Sequence, residues 1–159
     1  MTPKSLLRLA EAASRPSELA GGGWAPVVDD PDCQTDARAA AVSRVILCSG
    51  KVYYDLVLSE HRAAAPETAV IRVEQLYPFP TEVLRDMLAR YPHTTRVSWI
   101  QEEPRNMGAR KFVLPKIRPL VAPEIRLGDV SRPERSRPAE GHPGAHVAEQ
   151  ARIVRDAFA

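Results

Sequence analysis

Two adjacent glutamates, Glu102 and Glu103, stand in the stretch WIQEEPRNMGARKFV, where an apolar run gives way to a proline and a basic segment. A carboxylate pair can carry out general acid and base chemistry when both groups reach one site. Neighbouring side chains of an extended chain point to opposite faces, however, and only residues two apart share one. The pair therefore reads as the bend between a strand and a helix, its carboxylates assisting helix amides and pairing with Arg105 or Arg110. Asn106, a capping residue type, and Gly108 suit the same turn. A small enzyme built on Glu102 or Glu103 is the least favoured of three functional readings.

Other constellations bear on chemistry. CSGK, Cys48 to Lys51, could offer amides and an ammonium to a phosphate at a helix start, but it lacks the phosphate-loop spacing and reads as a cap. His142 and His146 have the i, i+4 spacing of helical metal ligands, yet Pro143 and Gly144 between them argue against the helix that would align the rings. From 110 to 137, eight cations (Arg110, Lys111, Lys116, Arg118, Arg126, Arg132, Arg135, Arg137) stand against Glu124, Asp129 and Glu134, a local balance of +5. That region is a candidate patch for an anionic effector or an acidic neighbour, and without interleaved aromatics it disfavours nucleic acid. No serine or cysteine nucleophile has an identifiable base, and no diphosphate motif occurs.

Elements must position these groups. RVILCS, AVIRV and RVSWIQ, starting at Arg44, Ala69 and Arg96, are short β-branched runs that read as strands. GKVYYDLVLSEHRAA places Val52, Tyr53, Leu56 and Val57 on one helical face, with Ser49 as cap and Pro66 as stop. PTEVLRDMLARYP sets Leu84, Met87, Leu88 and Tyr91 at helical spacing after Thr81, again as cap. A third helix opens near Asn106, and Pro115 is expected to kink or end it. EIRLGDV, Glu124 to Val130, is a possible edge strand, and the segment after Ala145 a final helix. Strand and helix in alternation predict an α/β fold: a mainly parallel sheet of three to five strands, helices on both faces. The expected division is an irregular arm over 1–41, a core over 42–130, and a Pro/Arg-rich segment with a closing helix over 131–159.

Composition allows this and little more. At 159 residues and 44 % hydrophobic the chain suits one core, and a net charge of +2 calls for neither nucleic acid nor an anionic membrane. No run of eighteen apolar residues and no secretory leader occurs, so a cytoplasmic location is expected. Cys33 and Cys48 have neither metal nor redox spacing and read as reduced thiols.

Several ordered blocks resemble one family. TPKSLLR at Thr2, DDP at Asp29, SGKVYYDL at Ser49, RVEQLYPFP at Arg72, QEEPRNMGA at Gln101, SRP at Ser131, PA at Pro138 and HVAEQ at His146 are similar to the carboxyl-terminal end of the decarboxylating component of 2-oxoglutarate dehydrogenase. The last domain of transketolase-like enzymes is a more distant likeness. The resemblance implies a domain of a homodimeric tricarboxylic acid cycle enzyme that works with an acyltransferase component. Thiamine diphosphate and Mg would lie in two preceding domains, so this chain alone would hold no cofactor and no catalytic residue. It would be the tail of a divided enzyme, a truncated product or a relic with a new task. Tyr77, Pro78, Phe79 and Pro80, with Gln101, Glu102, Glu103, Pro104, Arg105, Asn106 and Gly108, would form docking turns at one sheet edge. The competing reading is a free-standing sensor of an anionic nucleotide or coenzyme A effector on Arg110, Lys111, Lys116, Arg118, Arg132, Arg135 and Arg137. Arg110, where the family carries an aromatic, and Arg135 to Arg137, where it is serine-rich, depart from the pattern.

Overall fold

A computed structural model describes residues 3–159. Thr2, which begins the first block, lies outside the described residues, and Lys4–Arg8 form a 3-10 turn. The regular elements are α1 (Pro16–Gly21), β1 (Val27–Val28), α2 (Asp36–Ala40), β2 (Arg44–Cys48), α3 (Val52–Val57), α4 (Glu60–Ala64) and β3 (Thr68–Val73). They continue with α5 (Thr81–Ala89), β4 (Arg96–Pro104), α6 (Arg110–Ile117), β5 (Arg126–Arg132) and α7 (Pro143–Phe158).

The sheet runs β1-β3-β2-β4-β5, with only β1 antiparallel. Side-chain alternation sends Val45, Leu47, Ala69, Ile71, Val97 and Trp99 to one face, under Leu84 of α5 and Val113 and Ile117 of α6. Ile46, Cys48, Val70 and Ile100 go to the other, under Val52 and Leu56 of α3 and Ile153 and Ala157 of α7. Burial on both faces is why these strands read as unbroken apolar runs. The α/β architecture and the three central strands therefore stand as expected.

Several local expectations do not. The helix between β2 and β3 is two helices, because Ser59 Oγ donates to the Leu56 carbonyl at 2.7 Å and accepts from Arg62 N at 3.2 Å, closing α3 and opening α4. Neither Ser49 nor Thr81 caps: Lys51 and Pro80 occupy the cap positions, without side-chain bonds. The third helix starts at Arg110, four residues late, since β4 runs on to Pro104 and Gly108 turns the chain at φ 66°. Pro115 lies inside α6, which passes into a 3-10 turn at Arg118. The edge strand β5 is shifted toward the carboxyl end and reaches Arg132. Pro143 opens α7 instead of preventing it, as suits a residue whose missing N–H is not needed in the first turn.

The amino-terminal stretch has two characters. No residue from Pro3 to Pro26 is buried, whereas Val27, Cys33, Ala39 and Val42 join the core. Asp30, 1 % exposed, holds this part down: its carboxylate accepts from Val70 N at 2.7 Å, Asp32 N at 2.9 Å and Arg62 Nη2 at 2.9 Å. Both cysteines are free and buried.

Candidate functional site

In a parallel sheet, ligand clefts form outside the carboxyl ends of the strands where the order of connections reverses. Here β2 connects outward to β3, and the chain then crosses back to β4, so the reversal lies between β2 and β4. A cleft of about 650 Å³ opens there, lined by Ser49, Gly50 and Lys51 after β2, Leu76 and Tyr77 after β3, Gln101 to Glu103 on β4, and Ala109 and Phe112 beyond.

Gln101 shapes the cleft wall. Only 3 % exposed, its amide nitrogen donates to the carbonyls of Glu103, Pro104 and Met107 at 3.3, 3.1 and 2.9 Å. Its oxygen accepts from Trp99 Nε1 at 3.2 Å and from Arg110 N at 2.9 Å, at the start of α6. The helix amide expected to find a glutamate thus finds this neutral amide instead. Gly108 packs against the hub: a Cβ there would sit 3.0 Å from both amide atoms of Gln101 and 3.1 Å from Glu103 Cβ.

The two glutamates separate as strand geometry requires. Glu102 turns toward α7, where its carboxylate lies 3.3 Å from Lys51 Nζ and accepts from Gln150 Nε2 at 3.0 Å. Gln150 also donates to Asp55 at 2.8 Å, and Lys51 pairs with Asp55. Burial pulls the Lys51 ammonium down, but the two carboxylates outweigh it and hold its pKa above the ordinary lysine value. Lys51 is therefore a fixed cation, not a base or a phosphate hook. Glu103 is exposed on the other side. The pairing with Arg105 or Arg110 expected for these acids goes elsewhere.

Arg110 instead forks onto Asp129 of β5, with Nε and Nη2 at 2.6 and 2.9 Å from the two carboxylate oxygens. Hydrogen bonding to that guanidinium holds the Asp129 carboxyl below the usual carboxylate range, against the opposing effect of burial. Arg105, more than half exposed, reaches Asp129 only at 3.9 Å, and its N–H donates to the Arg132 carbonyl at 2.9 Å. Asn106 exchanges two bonds with the Arg135 backbone, at 2.9 and 3.1 Å. The 101–108 turn is thereby tied to β5 and the segment behind it.

Across the cleft, Tyr77 is 83 % exposed and Phe112 39 %. The Phe112 ring lies 6.4 Å from those of both Tyr77, at a tilt, and Phe79, edge to face, and Lys116 Nζ sits 4.7 Å from its centre. Gln75 Nε2 donates to the Pro78 carbonyl at 2.8 Å, bracing the turn before Pro80.

The basic region does not converge. Arg118 binds the Ala122 and Ile125 carbonyls at the far end of α6, one helix length from Arg110, about 12 Å at 1.5 Å per residue. Arg132, 4 % exposed, contacts His146 Nδ1 at 3.1 Å and Gln150 at 3.2 Å beneath α7. Arg135 pairs with Glu140, Arg137 lies beside Gly141, and Lys111 is exposed. His142 caps α7 through Nδ1, which accepts from Gly144 N at 3.1 Å. Among the described residues no three His, Cys, Asp or Glu side chains gather to hold a metal, and no helix is long and apolar enough to cross a membrane.

Sequence reasoning placed Gln101 in the turn but missed its role as a hub, counted Asp129 only among the acids of the basic stretch, and gave Gln150 no role. No local spacing signals those two, because their partners stand 19 and 48 residues away. The acid inside the EIRLGDV strand, as distinct from Glu124 at its start, was the one available hint for Asp129.

The comparisons agree with this geometry. Residues 13–158 match the family described as 2-oxoglutarate dehydrogenase C-terminal. The chain is 44 % identical over 159 residues to a 2-oxoglutarate dehydrogenase E1 component of Cupriavidus necator, covering 100 % of this chain and 16 % of that one. It is 42 % identical over 160 residues to the E1 component of Shouchella clausii and 39 % over 159 to that of Geobacillus kaustophilus, with 99 % of this chain covered in each. The chain spans only 16 to 17 % of the length of these relatives. With a parallel α/β sheet under the family's sequence blocks and nearly all its residues matched, the chain belongs to the 2-oxoglutarate dehydrogenase C-terminal family.

Proposed function

We propose that this chain acts as the terminal domain of a cytoplasmic 2-oxoglutarate dehydrogenase E1 component of the tricarboxylic acid cycle, docking on thiamine-bearing catalytic domains and supporting their dimer. The acyltransferase component of the complex would be met by that assembly. One observation carries the reading: the switch-point cleft presents exposed Tyr77 and Phe112, while Lys51 and Glu102 beside it are spent on each other, on Asp55 and on Gln150, and Glu103 stands exposed on the other face of the strand. Exposed aromatics beside a rigid turn are what a docking surface needs, and a reacting centre needs free acids and bases.

The residues of this chain do not fit thiamine diphosphate and its Mg ion. Lys51 is already held between two carboxylates, Glu102 and Glu103 would repel a diphosphate, and no ligand cluster for a divalent ion exists among the described residues. The cofactor belongs on the catalytic domains. The dispersal of the 110–137 cations leaves the effector-sensor reading without a supporting observation.

Mixing the chain with an E1 polypeptide lacking its own terminal domain tests the proposal, with decarboxylation of 2-oxoglutarate followed through an artificial electron acceptor. A complex and a gain in activity are expected. Tyr77→Ala with Phe112→Ala should weaken that complex about tenfold or more, as loss of aromatic anchors does, and leave the melting temperature of the free chain within about 2 °C because both side chains are exposed. Absence of any complex, or turnover by the chain alone, would overturn the reading.

A further inference from the structure

The opposite edge of the sheet carries a feature that the docking cleft does not explain. Arg44, Arg96 and Arg126 open β2, β4 and β5, and the register pairs Arg44 with Arg96 and Arg96 with Arg126. Each stands an even number of residues before Ile46, Ile100 or Val130, which face α7, so all three side chains leave the same face of the sheet. Strand spacing sets them in a row about 10 Å long. Like charges directly across a ladder repel. The crowding is visible in Arg96, whose guanidinium is pulled below its ordinary pKa by burial first and then by Arg44 and Arg126.

Part of the row has a structural use. Arg44 donates to the Phe158 carbonyl at 2.6 Å and Arg96 to the main-chain oxygen of Ala159 at 2.7 Å, which meets the carboxyl end of α7 and its dipole. That occupies one N–H of the five each guanidinium owns. Arg126 is exposed, and among the described residues no side-chain hydrogen bond engages it. Among the described residues, no carboxylate side chain lies within 4.0 Å of any of the three. The Glu67 carbonyl accepts from Arg44 N, and Glu67 shares a depression of about 360 Å³ with Arg44 and Arg155; Glu124 stands two residues before Arg126.

We infer that this row is a docking strip for an acidic helix face of a partner protein, bound at the edge of the sheet opposite the aromatic cleft. The spacing selects the ligand. A single phosphate can bridge two neighbouring guanidiniums but not a line of three about 10 Å long. Carboxylates three and four residues apart on a helix lie about 5–6 Å from one another, close to the strand spacing, so successive acids of one face meet successive arginines. The inference stands independently of the thiamine-enzyme reading, since it uses neither the cleft nor the catalytic domains.

The test uses the whole chain and a labelled alanine-rich peptide with glutamate at every fourth position, beside a twin carrying glutamine there. Fluorescence anisotropy should show saturable binding of the glutamate peptide alone, weakened about tenfold when salt rises from about 50 to about 300 mM. Arg126→Glu should weaken it a further fivefold or more, and Arg126→Gln by less. Arg126 makes no side-chain bond among the described residues, and a thermal melt verifies that each variant folds; if Arg126→Glu does not, Arg126→Gln carries the test. Equal binding of the two peptides, indifference to both Arg126 variants, or complete displacement by millimolar inorganic phosphate would overturn the inference, the last by revealing a free-oxyanion site.

Discussion

Gly108 shows how much one residue can fix. Its φ of 66° lies in the left-handed region, and a Cβ there would press on the Gln101 amide that organises the whole turn. Gly108→Ala should therefore destabilise the chain by about 2 kcal/mol, from the backbone penalty and the contact together, and lower the melting temperature by about 4–8 °C. A variant melting with the parent would show that the turn can relax around the methyl group. Asp129 makes a prediction about pH. Its folded-state pKa is depressed, so the ion pair with Arg110 contributes stability that is fully present above the unfolded value of about 4 and is lost as pH falls through the lower folded value. Asp129→Asn should be less stable than the parent at pH 7, by about 1–3 kcal/mol for the loss of charged hydrogen bonds in a mostly buried fork. Urea melts at a series of pH values should show the gap closing below about pH 4. A gap that persists unchanged at pH 2 would mean the pair acts through packing alone.

At the scale of elements, burial decides what could be read in advance. β2, β3 and β4 were legible because both faces of each are covered, which writes continuous apolar runs into the chain. α5 was legible from Leu84, Met87 and Leu88 at helical spacing. β1 was not: two residues long, it exists only because Val27 and Val28 pair with Val73 and Arg72. The division of α3 from α4 likewise rests on a single hydroxyl, Ser59, inside an otherwise unbroken helical pattern. Asp30 is the device that attaches the amino-terminal stretch to this framework, through a buried ion pair with Arg62 and a bond to the β3 backbone. Asp30→Ala leaves Arg62 buried without its partner and should cost about 3–5 kcal/mol, read as a fall in the urea midpoint. A loss under about 1 kcal/mol would show that Asp32, 3.4 Å from Arg62, can take over.

For the whole molecule, the same division predicts where the chain can be shortened. A chain starting at Pro26 should melt with the full-length protein, because no described residue before it is buried. One starting at Val42 should fail to fold cooperatively, having lost β1, Asp30 and the buried Cys33 and Ala39. Equal stability of the two truncations, judged by calorimetry, would remove the amino-terminal stretch from the core. The sequence by itself determined the layered α/β architecture, the family and the order of the central elements, since burial periodicity and ordered local blocks are properties of neighbouring residues. Only the tertiary structure decided that Glu102 finds Lys51 and Gln150, that Arg110 finds Asp129, that the basic stretch scatters, and that Arg44, Arg96 and Arg126 line up. Those outcomes depend on strand register and on partners tens of residues away, and no local pattern of a chain encodes which distant side chains its sheet will bring side by side.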